Sequence, residues 1–413
     1  MPALDPLLTP LGIQASYTTL LPLIALISCL AYVLYQRLLH PLASIPGPFS
    51  ASLSRLWLTH HSWKGDMHRV MISLHARHGT LVRIGPNEVS VSDPAAIKTI
   101  YGAGTKFRKS DWYSVWQGHR KFDLFAERDE KLHGQQRRLV SAAYSMTNLK
   151  DLEPYVNESI RTFLSAMEDR KNQVIDMGKW VQLFAFDVIG EVSFSKSFGF
   201  MEAARDDGSF NQIEGALRSA NTTGQNPWLF WLDDYLSPIF GSQLRLNARH
   251  GGIRIKAMKE ISARKDRGSE RKDILSKLFT VNKEKPFEFN ENAVASMATS
   301  NIFAGSDTTA ISTRAIIYYL LKNPDCKNRL IEEIDERRRQ GKLSDPVLLE
   351  EADSMPYLQA VMYEALRCHP AVGMSLPRVV PEGGVTIDGK FLPAKVTLTL
   401  EGCGERVSLT CLK

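Results

Sequence analysis

Residues 293–321 read AVASMATSNIFAGSDTTAISTRAIIYYLL, and this stretch decides the fold. Its length and apolar content predict one long helix, the backbone of a helical body. In its middle sits Ala304-Gly305-Ser306-Asp307-Thr308-Thr309. Gly in a helix interior costs about 1 kcal/mol relative to Ala, and Ser, Asp and Thr compete with the backbone ladder for hydrogen bonds. A cluster of such residues in an apolar helix predicts a local widening or kink, a feature that often marks a working site. Gly305 would leave room for a ligand against the helix. Asp307 and Thr308 would place a carboxylate and a hydroxyl beside that room, a pair suited to relaying protons. The plainer alternative is a partly exposed helix whose Thr and Asp face water.

Working outward toward the C-terminus, Pro356–Pro370 reads as a helix closed by a proline, with Glu364 and Arg367 at i, i+3. Such pairs are usually exposed and worth about 0.2–0.5 kcal/mol, but apolar neighbours favour a buried structural ion pair here. Beyond it, residues 371–400 break into short β-like pieces between Gly and Pro. Toward the N-terminus the chain is mostly helical from about residue 130. Further up, Leu81–Ile84, Gly85–Glu88 and Val89–Ser92 read as strand, turn and strand, and residues 63–78 as helix. Asp93-Pro94 reads as a helix cap and first helical residue. The fold class is mainly α, of the α+β kind, with a small β element supplied from both ends of the chain.

No charge occurs between Asp5 and Arg37, and Tyr17–Tyr35 reads YTTLLPLIALISCLAYVLY. A bilayer core takes about 20 apolar residues as a helix, so this segment is long enough to span. A cleaved signal would want a basic start and small residues after the apolar core. Here Arg37 and His40 follow the span, which predicts an uncleaved anchor over residues 17–36. The basic flank puts residues 1–16 in the lumen and the body in the cytosol. Pro41, Pro46 and Pro48 make residues 37–50 a stiff, proline-rich hinge, because proline fixes φ and removes donors.

Composition bounds the rest. A chain of 413 residues with 44% hydrophobic and 23% charged content is neither disordered nor, with 5 Cys, a disulfide scaffold. The net charge of +6 is mild, and no block of like charge suggests a nucleic-acid partner. The scattered cysteines form no metal motif and suit a reducing compartment. The aromatic run Trp228–Leu232 is expected in the core, with a second membrane contact as the alternative. The basic stretch Arg254–Lys272 is expected to be a solvated helix face. Asn157-Glu-Ser159 and Asn221-Thr-Thr223 match the glycosylation sequon, unused if the body faces the cytosol.

Together, the anchor, Pro46-Gly47-Pro48, the 81–92 hairpin, A-G-S-D-T-T and E-A-L-R ending in H-P follow the order and spacing of one family. The sequence resembles the membrane-bound cytochrome P-450 monooxygenases, most of all the fungal ones of secondary metabolism, over residues 20 to 395. The resemblance implies a cytochrome P-450-like helical body carrying haem b, anchored in the endoplasmic reticulum membrane. It implies oxidation of a small lipophilic substrate with electrons from NADPH–cytochrome P-450 reductase. By it, Asp307 and Thr308 are the catalytic acid–alcohol pair, and Ala304 and Gly305 border the cofactor. His133 and Arg137, in His133-Gly-Gln-Gln-Arg137, and Arg378 would meet the haem propionates, and Glu364 and Arg367 would form the structural pair. Substrate contacts would come from 105–125, 220–240, Phe303 and Ala304, and Val372–Leu376.

The family also implies a cysteine loop, F-x-x-G-x-R-x-C-x-G, whose thiolate binds iron and helps cleave the O–O bond. Aligning Gly404 and Arg406 with it puts Ser408 in the ligand position, while Cys403 and Cys411 lack the Gly and Arg offsets. The sequence therefore predicts an incomplete monooxygenase-like domain over 51–395, an atypical tail over 396–413, and no metal ligand. A non-catalytic, membrane-anchored remnant or mis-spliced product is the alternative reading.

Overall fold

The computed structural model describes residues 17–240, 251–268 and 270–400; residues 1–16 and the tail cysteines Cys403 and Cys411 lie outside these. Helix α1 (Tyr17–Leu34) leads into a short wider turn, Tyr35–Leu39. Leu20–Leu39 is the single described segment long and apolar enough to cross a membrane, with mean hydropathy 1.6, and only 6% of it is buried. Next come α2 (Leu56–Lys64), α3 (Met67–His78), the hairpin β1 (Leu81–Gly85) and β2 (Glu88–Val91), β3 (Arg108–Lys109) and α4 (Trp112–Gln117). The helical body follows: α5 (Glu130–Val140), α6 (Met177–Phe194), α7 (Ser209–Gly224), α8 (Pro227–Phe240), α9 (Gly251–Arg267), α10 (Glu291–Lys322), α11 (Pro324–Arg339) and α12 (Pro356–Cys368). Four strands close the described chain: β4 (Arg378–Val379), β5 (Val385–Ile387), β6 (Lys390–Leu392) and β7 (Thr397–Leu400).

Five strands form one sheet in the order β1-β2-β7-β4-β3, and β5 pairs with β6 apart from it. The hairpin is antiparallel, whereas β7 lies parallel to β2 with Ser90 opposite Thr399. So both ends of the chain build the sheet, as the sequence implies. The body's C-terminal boundary moves, however. Val396 and Leu398 are 1% and 0% exposed, and β7 is an interior strand, so residues 396–400 belong to the body and not to a tail.

The main core surrounds α10. Leu183, Phe186 and Phe194 of α6 pack with Val294, Ala298 and Ile302 of α10 and with Phe289. Burying each large side chain contributes about 1.5–3 kcal/mol, so this contact carries much of the body's stability. Asn290 caps α10 by accepting from the Ala293 N–H at 3.1 Å, and Asp176 caps α6 by accepting from Lys179 at 3.1 Å. The expected helix over 63–78 is two helices, because Gly65 turns the chain at φ 77°, a left-handed conformation glycine adopts without strain. The helix after the hairpin starts at Ala96 and not Pro94: Asp93 accepts from the Ala95 N–H at 2.9 Å and shapes the turn before it.

The proline-rich segment is welded to the sheet rather than left as a hinge. Leu42 and Ile45 are buried, and the Arg83 N–H donates to the Pro46 carbonyl at 2.7 Å. Gly47 sits where a Cβ would lie 2.1 Å from the Arg83 carbonyl oxygen, so only glycine fits. The Arg83 guanidinium, 1% exposed, donates to the Gln36 carbonyl at 2.7 Å and the Gln36 side-chain oxygen at 2.6 Å. The wider turn after α1 is thereby clasped to β1.

The Trp228–Leu232 run corrects the expectation of a core segment. It lies on α8, whose 3.6-residue period splits it. Phe230 is 4% exposed, while Trp228 is 60%, Tyr235 77% and Ile239 73% exposed. Ser159 and Thr223, the sequon hydroxyl residues, are buried.

Candidate functional site

The polar notch of α10 does not break the helix. The ladder runs unbroken from Glu291 to Lys322, because the hydroxyls of Ser306 and Thr308 donate to the carbonyls of Ile302 and Ala304, each at 2.6 Å. These bonds fold each hydroxyl onto its own helix instead of letting it compete with the ladder. The predicted widening is therefore corrected to a regular helix with one uncovered stripe. Ala304 and Thr308, one turn apart, lie on that stripe, and Ala304 is exposed. Gly305 points elsewhere. A Cβ there would sit 2.8 Å from Ile189 Cδ1 of α6, so its bareness serves helix–helix approach and leaves no ligand space beside it.

Asp307 and Thr308 are neighbours in sequence but about 100° apart around the helix, and they face different surroundings. The Asp307 carboxylate accepts from Gln182 Nε2 of α6 at 3.2 Å. Burial pushes its carboxyl up from the ordinary carboxylate range, with Arg314 pulling it back. Gln182, like Ile189, was not evident from sequence. The two are seven residues apart on one face of α6, a spacing that marks a shared face but not a partner.

A group of cations collects near the sheet's edge. Antiparallel pairing sets Lys109 of β3 directly opposite Arg378 of β4. Like charges so placed repel, and burial followed by Arg378 lowers the Lys109 ammonium to about 8. His133 of α5 is depressed as well, by burial first and by Lys109 next, with Arg137 adding to it. Arg137 itself, one turn along α5, is exposed. Arg378 is held by the Tyr113 hydroxyl at 2.6 Å and lies between the Tyr101 and Tyr113 rings at 5.1 and 5.3 Å. So His133 with Arg137 on α5 and Arg378 on β4 are linked through Lys109, which faces Arg378 across the sheet and acts on His133; Lys109 and Tyr113 are unanticipated members. Register across the sheet, which no local motif encodes, brings Lys109 in.

The chemistry of this group fits the carboxylate-bearing edge of a haem: Lys109, His133 and Arg378 are basic side chains without an ion pair to a carboxylate among the described residues. The iron ligand is a separate matter. Among the described residues the cysteines are Cys29, Cys326 and Cys368. Cys326 and Cys368 share a shallow cleft with Tyr319 and Glu364. Tyr319 lies eleven residues beyond Thr308, or roughly 16 Å along α10, so that cleft is not under the stripe.

Glu364 and Arg367 do pair, with Arg367 Nε and Nη2 each 2.7 Å from the carboxylate. The bidentate bond, ahead of burial, holds Glu364 below its ordinary range. The expectation of a buried pair is corrected, since the Arg367 side chain is 36% exposed and that of Glu364 17%. The anticipated substrate regions also meet: Trp112, Ala220, Phe303, Met374 and Leu376 form one apolar cluster.

A profile of the cytochrome P-450 family matches residues 45–404. The chain is 44% identical over 398 residues to the cytochrome P-450 monooxygenase hepC of Aspergillus oryzae, covering 93% of this chain and 78% of that protein. It is 37% identical over 380 residues to the cytochrome P-450 monooxygenase gsfF of Penicillium aethiopicum, covering 88% and 75%. It is 35% identical over 387 residues to a pisatin demethylase of Fusarium vanettenii, covering 90% and 73%. With the helix-dominated fold, the two-ended sheet and the α10 stripe beside its cations, these matches place the chain in the cytochrome P-450 family of monooxygenases.

Proposed function

We propose that the protein is a membrane-anchored monooxygenase of fungal secondary metabolism that oxidises a small lipophilic molecule over the Ala304–Thr308 stripe. The observation that carries this reading is the stripe itself, a hydroxyl on an uncovered face of the central helix, close to an apolar cluster suited to the substrate. His133, Arg137 and Arg378, with Lys109, would hold the two propionates of haem b, and Ala304 would give the ring its close approach to α10. Haem, when bound, supplies the activation of dioxygen that the side chains cannot.

The chain's own part is proton handling. The Thr308 hydroxyl proton, resting on the Ala304 carbonyl at 2.6 Å, is on the uncovered side where it can turn toward bound ligand. Asp307, its carboxyl raised by burial and bonded to Gln182, stands one residue away around the helix as the acidic member of the pair. Glu364 and Arg367 pair with each other within one turn of α12 and take no part in the reaction. We assign residues 17–36 to an anchor in the endoplasmic reticulum with residues 51–400 in the cytosol, where a reductase passes electrons from NADPH. The basic flank after the apolar span and the buried sequon hydroxyls support this orientation.

The test is Thr308→Ala in haem-loaded protein supplied with reductase and NADPH. Positioned proton donors contribute about 10²–10⁴-fold, so product should fall steeply while NADPH consumption continues as peroxide. Unchanged coupling of NADPH to product would remove Thr308 from the assignment.

A further inference from the structure

The cation group contains a pairing that the sheet alone opposes. Register puts Lys109 of β3 opposite Arg378 of β4, and like charges so placed repel. One residue meets both. The Tyr113 hydroxyl of α4 accepts from Arg378 Nη1 at 2.6 Å, and the Tyr113 ring centroid lies 5.3 Å from the Arg378 guanidinium carbon and 5.6 Å from Lys109 Nζ. We infer that Tyr113 is the positioning residue of this group: it holds Arg378 beside Lys109 while leaving both charges available to a carboxylate. The inference rests on the reading of the group as the haem edge.

Tyrosine suits this place because it is neutral. An Asp or Glu there would bind the guanidinium more strongly, but it would also cancel the charge it held. Burial pushes the Tyr113 phenol up from its ordinary range, with Arg378 drawing it back, so the hydroxyl keeps its proton while it accepts. An aromatic ring face carries partial negative charge, so a ring shared by two cations offsets part of their repulsion without an ion pair.

Packing fixes the direction of the ring. Tyr113 is 1% exposed, with the Trp112 ring at 4.9 Å and the Phe125 ring at 5.5 Å. Tyr101 gives Arg378 a second ring at 5.1 Å, and its hydroxyl donates to the Leu376 carbonyl at 2.7 Å. Lys109 Nζ donates to the Leu124 carbonyl at 3.3 Å. Arg378 is the charge that lowers Lys109, while Glu130, Asp123 and Glu127 raise it, and Lys109 in turn lowers His133. Of these charges Arg378 is the one bonded to the Tyr113 hydroxyl, so breaking that bond has a defined sign. Lys109 would then keep its proton to higher pH.

The experiment follows the Lys109 ammonium in the haem-free full chain, by competitive acetylation across a pH series with each lysine read by mass spectrometry. Tyr113→Phe deletes the acceptor and keeps the ring. The Lys109 midpoint should then rise from about 8 by roughly 0.5 pH unit, as Arg378 turns away. Arg378→Gln should raise it at least as far. The double variant should rise no further than Arg378→Gln alone, because the hydroxyl acts only through Arg378. Tyr113→Phe should also bind haem about fivefold more weakly, in a titration followed by quenching of tryptophan fluorescence. An unchanged Lys109 midpoint in either single variant, or rises that add in the double variant, would overturn the inference. A midpoint that rises while haem affinity stays the same would uphold the positioning role and remove the haem edge from the reading above. Arg378→Gln leaves Tyr113 intact, so it decides the matter even if Tyr113→Phe folds poorly.

Discussion

Two basic regions of this molecule look alike in sequence and behave differently in the fold. In the stretch from Arg254 to Lys272 and its continuation, cations have acidic partners: Lys256 meets Asp207 at 2.9 Å, Lys265 meets Glu291 at 2.8 Å, and Arg271 meets Glu191 at 2.5 Å. Arg264 is buried, its Nε 2.7 Å from Asp273. Lys109, His133 and Arg378 instead face one another, with no ion pair between them and a carboxylate among the described residues. The first region spends its charge on holding helices together. The second, on the reading proposed above, keeps its charge for the haem propionates. Counting basic residues cannot separate the two; asking which carboxylate each one meets does.

The sharpest way to break this contrast is at Arg264 and Asp273, whose side chains are 6% and 1% exposed. Asp273→Ala strands a buried guanidinium and uncaps the helix that begins at Ile274, since Asp273 accepts from the Ser276 N–H at 2.7 Å. Stability should fall by about 3–5 kcal/mol in denaturant unfolding. A loss below 1 kcal/mol would show that the pair is solvated after all.

Lys109→Met should act the opposite way. Deleting a buried cation beside Arg378 should raise the unfolding midpoint of the haem-free protein by a few degrees while weakening haem retention several-fold. A drop in both would mean that Lys109 is structural. The pH dependence carries the sign of the same argument. The Lys109 ammonium is lowered to about 8 from 10.5, so folding penalises its charged form at pH below 8. Haem-free stability should therefore rise as pH increases from about 8 to 10.5. Haem retention should decline over the same rise if Lys109 meets a propionate as proposed, because its cation is then neutralised. The smallest expected effect is at Lys265, on the surface: Lys265→Ala should leave the midpoint unchanged within experimental scatter.

How much was legible in the sequence follows from how local each signal is. The anchor, the 81–92 hairpin and the long central helix are written in consecutive residues, by an uncharged run, a turn between alternating strands and helical periodicity. Glu364 and Arg367, and Asp307 and Thr308, could be named because each pair lies within one turn, whereas His133 and Arg137 were named only through the family resemblance. The partners those residues meet were not legible. Ile189 fills the space expected at Gly305, Gln182 holds Asp307, and Lys109 faces Arg378, all through pairings between distant elements. Thr399 was lost to a supposed tail because a four-residue strand gains its place only from β2 and β4 on either side of it. The failed core assignment of Trp228 has the same root: composition records how apolar a run is, and the helix turn decides which residues face inward.

The clasp of Arg83 on Gln36 has a mechanical consequence. Two hydrogen bonds from one guanidinium to Gln36 join the end of the N-terminal helical segment to a strand of the sheet, and a third, to the Pro86 carbonyl at 2.7 Å, braces that guanidinium within the hairpin. A freely jointed tether would let the body tumble above a bilayer while the anchor tilts beneath it. This joint transmits torque instead, so on the anchored reading proposed above the N-terminal helix works as a lever arm. In a thinner or thicker membrane, the angle the helix takes up to match the hydrocarbon would be passed to the body, turning the exposed aromatic edge of α8 toward the headgroups or away from them.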